Sequence, residues 1–590
     1  MCGILNVISK TNQGLNLSAC RRALSYLTMR GPDLTTYEVL WEGRIFFGQT
    51  VLSLTGDLKS CRQDNMKSVS GRYHLSYNGE VYNYKELNSK WLNGKTKIPE
   101  EKSDTEILVN LHEVLPKEKI PILLEGMYAY TLLDSEEHTL SICGDLQGEK
   151  SLYIYEDQQL VIIASEIGAI RTILPRVKIE PQAFRDYFRT RHFMTFESTP
   201  YSGIRKLGPG QQETLNMNSM DWSNTQSHHL HDLIDPEKIK ENQNRSVESL
   251  VDELDSLMID CVKQMLPEDR KYAAVVSGGV DSSLITYYLV KYGDPDLLVA
   301  VNHVGKDNIS KDLLGFEKAF GRTINVIDID QASYGREIER CQKACNSPLF
   351  THSLIGQAVQ SALVRSFGCR VLFGGDGADE LFGGYGCYLG KHRSNSKFCP
   401  SPYATCTEPK IDFLVDDSSS IESYLSKAWN SSLNAYCDVD NQITQAMMYC
   451  DAAYQMPSVV LRGADLMSMI WSVEARSLFV RKAIISFALN LPASFKACND
   501  PGIPSLLQSK FILKKLFLRC FPEGLLVEKQ GFSGFPNESG TYLGNLEDYL
   551  ALDFLSIPKE KINESLLDRA TMWKLINVEY FLRWNQSIIQ

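Results

Sequence analysis

Ser277-Gly278-Gly279-Val280-Asp281-Ser282-Ser283 stands between an apolar strand pattern, Lys271–Val276, and an apolar helical run, Leu284–Val290. Successive glycines let backbone N–H groups close on a phosphate, while the hydroxyls and the helix N-terminus add donors. Asp281 is placed to hold Mg2+ beside a pyrophosphate. A Gly-Gly turn alone is a weak sign, but the whole string directly after a strand is specific. Leu297–Val301, Ile324–Ile329 and Val371–Phe373 read as further buried strands with helical stretches between them. Such alternation predicts an α/β parallel sheet with helices on both faces.

A second Gly/Asp string, Gly374-Gly375-Asp376-Gly377-Ala378-Asp379-Glu380, follows the last of those strands. Ligands of open α/β sheets sit beyond the carboxyl ends of the strands, at a topological switch. The two strings are therefore expected to face one cleft. There one carboxylate can share Mg2+ with Asp281, and another can orient or deprotonate a nucleophile. A competing phosphate loop, GDLQGEKS at 144–151, is rejected. Lys150 does not follow its glycine directly, and the stretch lies among antiparallel-looking strands.

The first two hundred residues have a different character. Ile45–Phe47, Tyr73–Tyr77, Tyr128–Leu133, Leu152–Tyr155 and Leu160–Ile163 are β-rich, whereas Leu17–Met29 and Thr105–Leu115 have helical spacing. An α+β layered domain follows. At its start Cys2 succeeds Met1 and precedes Gly3. Removal of Met1 leaves a thiol and a free α-amine on one residue, with ordinary pKa values of about 8.5 and about 7.7–8.0. That is a self-contained nucleophile and base, suited to attack on a carboxamide such as that of glutamine.

The 590 residues exceed one compact core and predict two domains. A formal charge of −11 argues against a nucleic-acid or anionic-membrane surface. No apolar run of membrane-spanning length or secretory leader pattern is evident, and the fifteen cysteines have no CxxC pair. Free buried thiols in the cytoplasm are expected. The polar stretch Asn216–Ser246, with His228, His229 and His231, reads as a solvated linker, and Ser394–Ser420 as an inserted loop. Expected boundaries are 2–212, 213–246 as linker, and 247–590.

In order and spacing, many short motifs resemble the glutamine-hydrolysing asparagine synthase family over nearly the whole chain, with most likeness to its divergent branch of asparagine synthetase domain-containing proteins. They are Met1-Cys2-Gly3-Ile4, Arg30-Gly31-Pro32-Asp33, Asn78-Gly79-Glu80-Val81-Tyr82-Asn83, Ser103-Asp104-Thr105-Glu106, Gly126-Met127-Tyr128-Ala129 and Ala164-Ser165-Glu166-Ile167. In the second half they are Ser277–Ser283, GGDGADELFGGY at 374–385, Ser472-Val473-Glu474-Ala475-Arg476 and Lys529-Gln530-Gly531-Phe532. The resemblance implies an Ntn-type class II glutaminase layered αββα, followed by an adenylate-forming synthetase of the PP-loop, N-type ATP pyrophosphatase kind.

It further implies that Cys2 forms a glutamyl thioester, that Asn78 and the Gly79 N–H make the oxyanion hole, and that Glu80 and Asp104 join them in binding glutamine, Asp104 receiving its α-ammonium. ATP falls to Val276, Ser277, Gly278, Gly279, Asp281, Ser282, Val301, Gly374 and Gly375, and Mg2+ to Asp281 and Asp379. Asp376 and Lys529 complete the catalytic set, Lys529 near the α-phosphate. Substrates are glutamine, aspartate and ATP, and the product is asparagine made through β-aspartyl-AMP. No nucleic acid or membrane partner is implied, and a homodimer is left open.

Four departures from the family pattern stand out. Val51 occupies the place of a glutamine-binding Arg, and Asp376 that of a Glu in the GEGADE loop. Gly144-Asp145 replaces an Arg-Asp pair. Ser347–Ser353 lacks the Arg expected to fork onto an α-carboxylate. These leave open a ligase for another carboxylate, or a catalytically weak scaffold of the same fold.

Overall fold

The computed structural model describes residues 2–11, 13–54, 66–94, 103–190, 196, 199–268, 270–304, 309–389, 419–437, 441–527, 545–558 and 569–586. The N-terminal half carries strands β1 (Cys2–Ser9), β2 (Leu34–Leu40), β3 (Ile45–Val51), β4 (Tyr73–Val81), β5 (Gly126–Asp134), β6 (Thr139–Gly144), β7 (Tyr153–Glu156), β8 (Leu160–Ala164), β9 (Ile204–Lys206), β10 (Gln211–Asn216) and β11 (Trp222–Ser227). They form two sheets, ordered β2-β3-β1-β8-β7-β9 and β11-β10-β6-β5-β4.

The period-two alternation of side chains explains how these sheets stack. Ile4 and Ile8 of β1 meet Phe47, Ile142 and Ile163 in the core between the sheets. Leu5 and Val7 point the other way, onto Ala23 and Leu24 of the helix Leu17–Tyr26 and Ile170 of the helix Ile167–Ile173. On the far face, Leu75, Tyr77 and Tyr130 pack against Ile107 and Leu111 of the helix Asp104–Val114. The result is the αββα layering expected. Ser103 starts that helix as N-cap of a capping box closed by Glu106, which fixes where Asp104 begins.

The stretch expected as a linker is ordered instead. β10 pairs antiparallel with β6 and β11 with β10, then the helix Pro236–Gln243 follows. The cause is the open edge of β6, whose backbone groups need partners that a polar strand supplies as well as an apolar one. Of the inserted loop 394–420, only its last two residues lie within the described set, where the helix Ser419–Ala435 begins.

The C-terminal half carries β12 (Tyr272–Val275), β13 (Leu297–His303), β14 (Ile324–Ile329), β15 (Val371–Gly374) and β16 (Glu474–Ser477), ordered β14-β13-β12-β15-β16. Every pair is parallel. Strand order reverses between β12 and β15, so the switch point lies where both Gly/Asp strings leave the sheet. Most of the described cysteines are buried. Among the described residues no helix is long and apolar enough to cross a membrane.

Candidate active site

Cys2 opens β1 at the centre of its sheet, buried, with Val51 directly opposite on β3. Burial holds its thiol above the usual range, and the charges of Asp104 and Glu474 add to that while the amino terminus opposes it. The Cys2 backbone nitrogen donates to Asn78 Oδ1 at 2.9 Å. This uses the oxygen of the Asn78 amide and leaves Nδ2 buried without a hydrogen-bond partner. A buried donor so placed is expensive to keep unless an acceptor arrives in the reaction.

Gly79 follows at φ +151°, and a Cβ there would come within 2.1 Å of Met127 O. Only glycine fits, and its strand thereby delivers Asn78 to the thiol. Asp104 Oδ2, at the start of the helix Asp104–Val114, accepts from Tyr77 Oη at 2.8 Å and from the Val81 N–H at 3.1 Å, both on β4, which fixes the carboxylate beside the strand of Asn78. Arg30 donates to Cys2 O at 3.2 Å and pairs with Glu166 at 2.5 Å and Asp465 at 2.8 Å. Asp33 accepts from the Ser53 N–H at 2.9 Å and pairs with Arg370.

The two Gly/Asp strings leave the sheet side by side where β12 and β15 end. Gly278 has φ +77°, and nothing lies within 4 Å of where its Cβ would be, so the backbone stays open to a bulky anion. Gly279 caps the helix Val280–Tyr292, and Ser282 Oγ accepts from the Ser277 N–H at 3.1 Å. Buried Val276 donates its N–H to Val299 O at 2.8 Å, and Val301 is buried on β13. A Cβ on Gly375 would lie 2.9 Å from Asp281 Cβ, so the second loop presses directly on the first. Gly374 ends β15 beside them.

Asp281 Oδ2 and Asp379 Oδ1 converge on Lys510 Nζ, at 2.5 Å and 2.7 Å. Asp376 is half-buried, with Ser477 Oγ 3.4 Å from Oδ2. Burial lifts its carboxyl to about 6, with Asp281 and Asp379 adding to the rise. Lys529 lies outside the described residues.

Residues 253–581, more than half of the chain, match the family model described as asparagine synthase. The chain belongs to the asparagine synthase family. Residues 1–227 match a glutamine amidotransferase domain. "Asparagine synthetase [glutamine-hydrolyzing] 1" of Bacillus subtilis (strain 168) is 25% identical, with 100% of this chain and 97% of that protein covered. "Asparagine synthetase [glutamine-hydrolyzing] 3" of the same organism is 24% identical, covering 98% of this chain and 94% of that protein. "Amidase chry2" of Gibberella zeae is 24% identical over 62% of this chain and 55% of that protein.

The departures from the asparagine synthase pattern now have locations. Asp145 is a structural carboxylate: four backbone N–H groups, of Tyr128, Gln147, Glu149 and Lys150, donate to it at 2.9–3.2 Å. The loop it organises sends Lys150 onto Asp465 at 2.9 Å and Glu149 onto Arg481 at 2.8 Å, an ionic interface and not a phosphate cradle. In 347–353, Leu349 and Phe350 are buried, and Tyr187 Oη donates to Leu349 O at 2.6 Å.

Sequence reading missed three cations that the fold delivers from afar. Lys510 comes from 229 residues beyond Asp281. Arg270 enters from the second half to donate through Nε to Ser53 O at 3.1 Å, two residues past Val51. Arg462 sits 5.0 Å over the Phe350 ring, in the stretch that lacked an Arg. None of the three lies in a motif with a distinctive spacing, so no local signal could have found them.

Proposed function

We propose that this chain is an ATP-dependent asparagine synthase that takes its nitrogen from glutamine. The observation that carries the reading is the Asn78 side chain, whose oxygen holds the Cys2 nitrogen and whose Nδ2 is a buried, unpartnered donor. With Met1 removed, the Cys2 α-amine takes the thiol proton and Sγ attacks the glutamine carboxamide carbon. Asn78 Nδ2 and the Gly79 N–H stabilise the oxyanion, and Asp104 binds the α-ammonium. Collapse expels ammonia, which carries off the proton, and water then hydrolyses the thioester to glutamate.

In the second half, Ser277–Ser283 and Gly374–Gly375 cradle ATP while the aspartate side-chain carboxylate attacks the α-phosphorus and pyrophosphate leaves. Ammonia then displaces AMP, with Asp376 accepting a proton from the attacking nitrogen. Convergence of Asp281 and Asp379 on a single cation suits Mg2+, which is held by one or two carboxylates plus phosphate oxygens. When bound, that ion neutralises triphosphate charge. Lys510 is the chain's own counter-charge at the same carboxylates. Lys529 is proposed near the α-phosphate, and Arg270, which donates to Ser53 O two residues past Val51, as a cation for the place Val51 leaves without one.

The test is to incubate processed protein with ATP, Mg2+, aspartate and either glutamine or ammonium, and to assay glutamate, AMP, pyrophosphate and asparagine. All four products are expected with glutamine, and the last three with ammonium. AMP formed only with another carboxylate would replace aspartate as substrate. No AMP and no glutamate under any condition would overturn the proposal.

A further inference from the structure

A cavity of about 200 Å3 lies where the two halves meet, apart from both reaction centres. Its wall includes Gln147 and Arg481, 2% and 5% exposed. Neither amide atom of Gln147 has a hydrogen-bond partner, and neither do Nε and Nη1 of Arg481. Nη2 of Arg481 donates to Glu149 at 2.8 Å, and the guanidinium stacks 4.7 Å above the Tyr82 ring, which holds it in place. Four unpaired buried polar atoms on two side chains of one wall are unusual, because each forfeits the hydrogen bonds water would give.

Their chemistry specifies the complement. A primary amide offers a donor and an acceptor side by side, and another primary carboxamide answers both. Two free guanidinium N–H groups answer a carboxylate. Glu125, 3.8 Å from Lys482 Nζ, and Asp232, 3.0 Å from His231 Nε2, are the carboxylates of the same wall that an ammonium would meet, in competition with those nitrogens. We propose that this cavity binds a free α-amino acid with a carboxamide side chain, as a regulatory site distinct from the glutamine and nucleotide sites.

The walls give such a ligand a route to both centres. Tyr128 lines the cavity and is the register partner of Gly79. Val480 lines it too, and its Cγ1 is 2.7 Å from where a Cβ on Gly377 would lie, in the loop between Asp376 and Asp379. An occupant therefore touches the strand behind the oxyanion hole and the side chain behind the acidic loop. The regulatory role, but not the binding, rests on the proposed synthase reaction, which would make the ligand its nitrogen donor or its product.

The test is equilibrium dialysis of labelled L-asparagine, and separately L-glutamine, against the full chain carrying Asp104→Asn, which disables the glutamine pocket, in excess L-aspartate. One equivalent should bind, undisplaced by L-aspartate or by asparaginol, which lacks the carboxylate. Gln147→Leu and Gln147→Glu should each weaken binding at least tenfold, while the unfolding temperature of Gln147→Leu does not fall. Absence of binding, or affinity unchanged in both variants, overturns the proposal and leaves the cavity to water. Ammonium-dependent AMP formation on the same preparations judges the synthase reading separately. Binding without AMP sinks that reading alone, and AMP without binding sinks this one alone.

Discussion

Asn78 holds the Cys2 nitrogen through Oδ1 and keeps Nδ2 as a buried donor without a partner, and the proposed reaction gives that donor its use. Replacing it with Ala removes the acceptor for the Cys2 nitrogen and the free Nδ2 donor together. Asn78→Ala should lower glutamine-dependent kcat by about 10²–10³-fold, the usual worth of one oxyanion donor. Ammonium-dependent AMP formation, measured in parallel, should not change. Lys510 acts at the other centre, between Asp281 and Asp379. Lys510→Met should reduce AMP formation at least about 10²-fold, since it strips a preorganised charge from the proposed phosphate site. Glutamate release from glutamine should persist in that variant, and its loss would mean a global defect instead. The roles proposed for Asn78 and Asp104 rest on contiguous motifs. Lys510, Arg270 and Arg462 were not legible, because no local pattern marks a cation whose partner lies in another part of the chain.

At the level of elements, periodicity located the helix Asp104–Val114 and strands β3 to β5, whose alternating or helical spacing was plain. β1 escaped it. All eight of its residues are buried, so no polar alternation remains to betray a strand at the middle of a sheet covered on both faces. β10 and β11 escaped for the opposite reason, being polar enough to resemble a linker. The helix Asp104–Val114 also carries a pH dependence. His112 is buried between Tyr73 and Tyr130, and burial lowers its pKa to about 3. A base whose folded pKa lies below its unfolded value of about 6.5 supports the fold above pH 6.5 and loses that support as pH falls toward 3. Stability should drop by roughly 1.4 kcal/mol per pH unit within that window from this group. Denaturant unfolding of His112→Leu between pH 6.5 and pH 4 should show a shallower decline than the parent. An equally steep decline would remove His112 as the cause.

Across the whole molecule, the two halves are joined by buried charge. Arg476, 1% exposed, holds Glu80 of the glutaminase strand and Glu474 of the synthetase edge strand, and donates to Met265 O as well. Arg476→Met leaves two carboxylates buried without their cation, at a cost of about 3–5 kcal/mol. The denaturant midpoint should fall, and glutamine-dependent asparagine formation should suffer more than the ammonium-dependent reaction. Equal losses would show that Arg476 merely supports the fold. By itself the amino-acid sequence determined the two-domain plan, the parallel sheet, and the contiguous motifs at Cys2, Asn78, Asp104, Ser277–Ser283 and Gly374–Glu380. Those are local matters of side-chain period, turn chemistry and residues adjacent in the chain. Tertiary structure decided which distant cations meet those carboxylates and that Gln147 and Arg481 line one cavity. Such contacts join residues hundreds of positions apart, and burial alone makes their charges matter.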